Sequence, residues 1–354
     1  MIDWATGVRD DMESLTVCVP TYNGEKHIRP CIRSILDQTH RELEILIVDD
    51  CSQDRTVEIV KEMTSGDRRV RLFQNSRNLG LVGNWNRCVE LVQTSWVKFV
   101  FQDDTIRTSC VEKMLDAACD HAEMVVCSRE FTFEEGVTDK IRNWYLANQA
   151  LVETKWGDTR VVRASEFQDA SLDRLLGNLI GEPTSVMLRR SIFEKYGVFN
   201  SMLIMSCDLE YWSRIGVNQG FVWLNERLAN FRVHQGATSA NNREARSYRM
   251  DILDDLVVLH EFAFNPVYAP LRRAARQRSI DLVEIFSTRA VWARNVARVR
   301  SKQPTEGLES CIKEWEAVAA RYFRIRRPPG SLRRRLLRVL NQVRDRRQAF
   351  HVDY

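Results

Sequence analysis

Apolar residues in the first half of the chain recur in two alternating rhythms. SLTVCVP (14–20), LEILIVDD (43–50), RVRLFQN (69–75) and WVKFVFQDD (96–104) are short runs rich in β-branched and apolar residues, the signature of buried strands. Between them, HIRPCIRSILDQ (27–38), RTVEIVKEM (55–63) and LVGNWNRCVELVQ (81–93) carry apolar side chains at helical spacing. Pro30 fits such a helix only within its first turn. The order βαβαβαβ predicts an α/β fold with a mostly parallel sheet covered on both faces and ligands bound at the strands' carboxyl ends.

Further along, CVEKMLDAACDH (110–121) reads as a helix and EMVVCS (123–128) as a strand. Residues 129–163 lose clear periodicity and are expected to form an excursion or lid. GEPTSVMLRRSIFEKYG (181–197) reads as a turn, a strand and a short helix, with Ser191 and Glu194 at capping-box spacing. MSCDLEYWSRIG (205–216) opens another helix at Asp208, and GFVWL with RLANFRVH (220–234) reads as a closing pair of strands. From about Asn242 the pattern is helical, which divides the chain into residues 1–240 and a helical region at 241–354.

Composition narrows the class. With 44% hydrophobic and 28% charged residues the chain is expected to be globular. No apolar run reaches membrane-spanning length and the acidic N-terminus lacks a signal-peptide core, so a cytoplasmic protein is expected. Nine scattered cysteines without a C-x-x-C pair argue against a disulfide framework and a zinc site. The net charge of +4 hides a basic end: residues 321–354 hold eleven arginines and two aspartates. Leucines at helical spacing among those arginines fit a helix on an anionic membrane surface, or equally a solvated or oligomer-contacting helix. Interleaved aromatics and nucleic-acid motifs are missing, so no nucleic-acid partner is expected.

The chemistry gathers at the predicted strand ends: Thr21-Tyr22, Asp49-Asp50, Arg77-Asn78 and Asp103-Asp104. Adjacent carboxylates such as Asp103 and Asp104 repel when both are ionised. They serve either as turn caps or as ligands of a divalent cation. Neither G-x-G-x-x-G nor G-x-x-x-x-G-K-[ST] occurs, which disfavours hydride transfer and P-loop phosphoryl transfer.

As an ordered series, VCVPTYNGEKHIRPCIRSILDQTHRELEILIVDDCSQDRT, NLGLVGNWN, FQDD, CDLEYW and FRVHQGATS resemble the GT-A glycosyltransferases of family 2, from about Leu15 to Ser239. The resemblance implies a GT-A fold, a nucleoside-diphosphate-sugar donor (UDP or dTDP), a glycan or lipid-linked hydroxyl acceptor, a divalent metal (Mn2+ or Mg2+), and inversion at the anomeric carbon. Surface polysaccharide or lipopolysaccharide assembly is the implied setting. Carried over by position, Pro20, Thr21 and Tyr22 line the nucleotide pocket, Asp49 and Asp50 hold base and ribose, and Arg77 and Asn78 lie near the diphosphate or base. Asp103 and Asp104 stand in the metal motif, with His234 near the metal, Asp208 is the catalytic base, and Glu182 shapes the acceptor side. Many members carry D-x-D-D where this chain has Phe101-Gln102-Asp103-Asp104, and Cys207 replaces an acid common in the family. Local alternatives stand beside these roles: an Asx turn from Asp49 to Ser52, a turn at Arg77–Gly80, and helix capping by Asp208. A GT-A-like module that binds a sugar nucleotide or glycan without turnover is the competing functional reading.

Overall fold

The computed structural model describes residues 14–118, 123–235, 248–302 and 311–330. The first half alternates as the apolar rhythm predicts: β1 (Leu15–Thr21), α1 (Ile28–Leu36), β2 (Leu43–Asp49), α2 (Thr56–Thr64), β3 (Val70–Gln74), α3 (Leu81–Leu91) and β4 (Trp96–Phe99). Every residue of β1 is buried, because helices cover both faces of the sheet. Leu15, Val17 and Val19 pack on one face with Ile28, Cys31, Ile32 and Ile35 of α1, an i, i+3, i+4, i+7 stripe. Cys18 and the β2 residues Leu46 and Val48 point to the other face, against Trp85 and Cys88 of α3. Pro30 sits in the first turn of α1, where its missing N–H breaks no helical bond.

There follow β5 (Thr105–Ile106), α4 (Cys110–Ala117), β6 (Met124–Phe133), α5 (Asp139–Trp156), β7 (Arg160–Val162), α6 (Ala164–Asp173), β8 (Val186–Arg189), α7 (Ser191–Tyr196), α8 (Cys207–Gln219) and β9 (Phe221–Val233). The described strands form one nine-stranded sheet in the order β3-β2-β1-β4-β8-β6-β9-β5, with β7 also paired to β9. The pairs among β1 to β4, and β6 with β9, are parallel. Strand β8 runs antiparallel between β4 and β6.

Three local expectations are corrected. The excursion expected at 129–163 is ordered: β6 runs on to Phe133 and α5 is an 18-residue helix. Of α5 only Gln149, Val152 and Trp156 are buried, so its first half has no apolar stripe to read. The closing pair of strands is one 13-residue strand, β9. Its polar stretch Asn225-Glu226-Arg227 falls where the register with β6 slips between Cys127 and Arg129, an irregularity that bends the strand without ending it. The capping box expected at Ser191 and Glu194 is not formed: Arg190 is the N-cap, and the Ser191 hydroxyl donates to Glu123 at 3.2 Å.

Helix α8 is buried along most of its length. Glu210 and Arg214 pair inside it, and the Tyr268 hydroxyl donates to Glu210. A Cβ at Gly216 would stand 2.5 Å from the Phe167 ring, so glycine is what allows α6 to approach. Among the described residues, five more α-helices follow: α9 (Asp254–Phe264), α10 (Ala269–Gln277), α11 (Leu282–Arg300), α12 (Cys311–Arg321) and α13 (Phe323–Arg326). Leu256, Phe262, Phe286 and Trp315 from them share a core with Tyr211 and Trp212 of α8. Asp254 also accepts the N–H groups of Ile204, Met205 and Ser206 at 2.8, 2.6 and 3.2 Å, tying the turn before α8 to α9. Among the described residues, no helix is long and apolar enough to cross a membrane. Most of the arginine-rich end, 331–354, and residues 236–239 of the FRVHQGATS stretch lie outside the described residues.

Candidate active site

The carboxyl edge of the parallel strands collects the polar clusters. At the end of β2, Asp49 is fully buried. It accepts from the Thr21 hydroxyl (3.1 Å), the Ser52 N–H (2.9 Å) and the Ser52 hydroxyl (2.5 Å), the local Asx arrangement, with Cys51 held at φ +65°. Asp50 accepts from the Asn75 amide and from the Leu79 and Gly80 N–H groups at 2.8–3.0 Å. Both carboxylates therefore hold loops together: Asp50 fixes the Arg77–Gly80 turn, in which Asn78 accepts from Gly80 at 2.8 Å. Arg77 and Asn78 themselves are exposed.

Pro20 and Thr21 end β1 beside Val48 and Asp49, and Tyr22 beyond them is 46% exposed. Gln102, which the sequence reading passed over, clamps this exit. Its carbonyl accepts the Tyr22 N–H at 2.9 Å and its amide donates to the Tyr22 carbonyl at 3.1 Å. A Cβ at Gly24 would stand 2.2 Å from the Gln102 carbonyl oxygen, so a glycine there leaves room for the clamp. Phe101, standing where relatives often carry an acid, turns away to pack on Trp85 with ring centroids 4.7 Å apart.

The two acids of FQDD part company. Asp104 is buried, accepting from the Thr184 hydroxyl at 2.5 Å and the Arg232 N–H at 3.0 Å. Burial outweighs those bonds and pushes its carboxyl up to about 8. Asp103 instead gathers with two histidines: one ligand atom each from His27, Asp103 and His234 lies within 4.8 Å of the others. The histidine rings lie 4.7 Å apart. Both Nε2 atoms are buried without a hydrogen-bond partner, although Asp103 is 3.4 Å from His234 and Glu134 is 3.5 Å from His27. Unpartnered buried nitrogens are costly, and two of them converging on a carboxylate fit a cation. Burial lowers the pKa of His27, against the pull of Asp103 and Glu134, which keeps its lone pair available. His27 is the N-cap of α1 and makes no side-chain cap bond; nothing in GEKHIRP marks it as a ligand. The grouping joins Asp103 and His234 to His27, and Asp104 is not part of it.

Asp208 stands in the first turn of α8. Its Oδ1 accepts the Leu209 N–H at 2.7 Å and its Oδ2 the Asn178 amide at 3.2 Å. Burial pushes its carboxyl up to about 7, with Leu209 opposing and Glu182 adding to the rise. Glu182 pairs with Arg129. The charge of Glu182 reaches both Asp208 and Asp104, and Thr184 lies two residues on, so the segment 182–184 bridges the Asp208 and FQDD ends of the edge.

The described strands form a nine-stranded, mostly parallel sheet flanked by helices, with polar clusters along its carboxyl edge, and this is a GT-A type of fold. The chain belongs to glycosyl transferase family 2, whose family model matches residues 16–197; it is a glycosyltransferase. Glycosyltransferase GlyA of Streptococcus pneumoniae is 32% identical over 233 residues, which is 64% of this chain and 32% of GlyA. The fold matches S. aureus TarS (residues 1–349, solved with UDP-GlcNAc) with a TM-score of 0.55 at 18% identity, over 94% of this chain and 88% of TarS. Mannosyltransferase PcManGT of Pyrobaculum calidifontis, solved with GDP-Man and Mn2+, matches at a TM-score of 0.52 and 12% identity, over 96% of this chain and 88% of that one.

Proposed function

We propose that this glycosyltransferase moves a sugar from a nucleoside diphosphate to a hydroxyl of a glycan or lipid-linked acceptor, inverting the anomeric carbon in one displacement, in the assembly of a surface polysaccharide. The observation that carries this reading is Asp208: a carboxyl poised near neutrality, reached by the charge of Glu182, on a helix that opens at the ligand-binding edge. A base with a pKa near the working pH removes a hydroxyl proton efficiently while about half of it is still ionised. One carboxylate suffices, because attack from the face opposite the diphosphate needs no covalent intermediate.

His27, Asp103 and His234 would hold a divalent cation. Two imidazoles with one carboxylate favour manganese over magnesium, which prefers oxygen ligands. Such an ion supplies charge to offset the negative charge that develops on the departing diphosphate. The exposed Tyr22 ring suits stacking on the base, while Arg77 offers a cation to the nucleotide. Asp49 and Asp50 act by shaping the loops that carry these groups. Helices α9 to α13, the described α-helices of the 241–354 region, are proposed to buttress α8.

The test is a thermal-shift panel of UDP-, dTDP-, GDP- and CMP-sugars, each with manganese and with EDTA. Stabilisation by one nucleotide class in manganese alone is expected. Equal behaviour of every nucleotide with and without metal would overturn the donor and metal assignments.

A further inference from the structure

Asn178 lies in the loop between α6 and the turn Pro183–Ser185. Its Oδ1 accepts the N–H groups of Ile180 at 3.1 Å and Gly181 at 2.8 Å. Its Nδ2 donates to the Gly181 carbonyl and to Asp208 Oδ2, each at 3.2 Å. A side-chain oxygen that takes two backbone donors fixes which way the amide points, and here the NH2 group must face Asp208.

The loop is pinned from three directions. Trp212 of α8 donates its indole N–H to the Gly181 carbonyl at 2.9 Å. Gly181 holds φ +123°, and a Cβ there would stand 2.4 Å from the Arg129 guanidinium. Arg129 in turn pairs with Glu182. With Leu209 donating to Oδ1 and Asn178 to Oδ2, each Asp208 oxygen has one fixed donor, so the carboxylate plane is set and the remaining lone pairs are the ones open to an incoming hydroxyl.

We infer that Asn178 is a positioning residue for the glycosyl-transfer step, orienting the Asp208 carboxylate and stabilising its ionised form. The inference rests on the reading of Asp208 as the base. The charged and titratable groups facing Asp208 are Glu182 from the same loop segment, Arg129 from β6 and the neighbouring Cys207; all are retained in the variants below.

The experiment compares pH profiles of kcat and donor KM for Asn178→Asp, Asn178→Ala and Asp208→Asn, with melting temperatures alongside. Asn178→Asp keeps an oxygen for Ile180 and Gly181 but turns the group facing Asp208 into a second carboxyl. Like carboxylates at that distance share a proton, so the acid limb of kcat moves up by about one pH unit. Relative to its own plateau, turnover at pH 7 then drops about fivefold against wild type and reaches that plateau by pH 9, from the fraction of base left ionised; the plateau itself is lowered, because the donor to Oδ2 is lost here too. Asn178→Ala lowers the kcat plateau about tenfold through loss of orientation. Donor KM stays within about twofold in both, since only the transfer step loses support. Wild-type profiles in both variants, or a fall in kcat with an unmoved acid limb in Asn178→Asp, overturn the inference. Substantial turnover by Asp208→Asn would overturn the base reading instead, and is scored separately.

Discussion

Replacing His27 with alanine separates the ligand set seen in the structure from the one the FQDD motif suggests. The three ligand atoms stand within 4.8 Å, against roughly 3 to 4.3 Å between donors that share one ion at metal–ligand distances of about 2.1 Å. His27 makes no cap hydrogen bond to α1, so its removal leaves the helix start with the backbone bonds it already has. Losing even an outer-sphere partner of a metal ligand costs ten- to a hundredfold in affinity, and a direct ligand should cost at least the upper end. Manganese affinity in His27→Ala is therefore expected to fall about a hundredfold, or about 2.7 kcal/mol. The contrasting variant is Asp104→Asn. Its amide can donate to Thr184 and accept from Arg232, the two partners Asp104 now has, and manganese binding should stay within about threefold because no ligand is lost. Titration calorimetry of manganese chloride into each protein reads both numbers. Wild-type affinity in His27→Ala together with loss of binding in Asp104→Asn would refute the grouping and return the site to the adjacent acids.

Four other outcomes follow from the structure. Asp208, pushed up to about 7 by burial, is protonated below that pH, so kcat should fall to about a tenth of its plateau one unit lower; a flat profile from pH 6 to 8 would contradict it. The same shift makes the folded state the better proton binder between the ordinary carboxylate pKa of 3.8 and about 7, so this group's contribution to stability declines as pH rises through that window, as pH-dependent denaturant midpoints would report. Gln102→Ala removes both bonds to Tyr22 and should raise donor KM severalfold, about 1 kcal/mol for two exposed bonds, with the melting temperature nearly unchanged. Arg214→Met leaves Glu210 buried without its cation and should cost about 3 to 5 kcal/mol in urea denaturation.

The parallel half of the fold was legible because each strand is buried on both faces and each helix on one. Leu15 to Val19 and the α1 stripe Ile28, Cys31, Ile32, Ile35 write those environments directly into residue type. Helix α5 was not legible because its first half has no fully buried residue, Tyr145 packing half-buried on Phe131 and Phe231, and β9 was split on paper because Asn225-Glu226-Arg227 breaks the apolar run while the backbone continues through a register slip. In the site, Asp208 stands in the first turn of α8 and Asp103 groups with His27 and His234. His27 and Gln102 carry no local signal: one lies on a helix cap and the other inside an acidic motif, and each acquires a role only when distant segments meet, Gln102 with Tyr22 and His27 with Asp103 and His234. Asp49 and Asp50 are acids prominent in the sequence that the structure shows bonded to loops, Asp49 to Ser52 of its own turn and Asp50 to Leu79 and Gly80 after β3.

The most direct test of the central claim is Asp208→Asn, assayed for transfer and, in the same preparation, for binding of the donor in manganese. The account predicts donor affinity within about threefold of wild type and transfer lowered by about 10²–10⁴, the range for loss of a general base. Transfer near the wild-type rate with intact donor binding would contradict it and remove Asp208 from the chemistry.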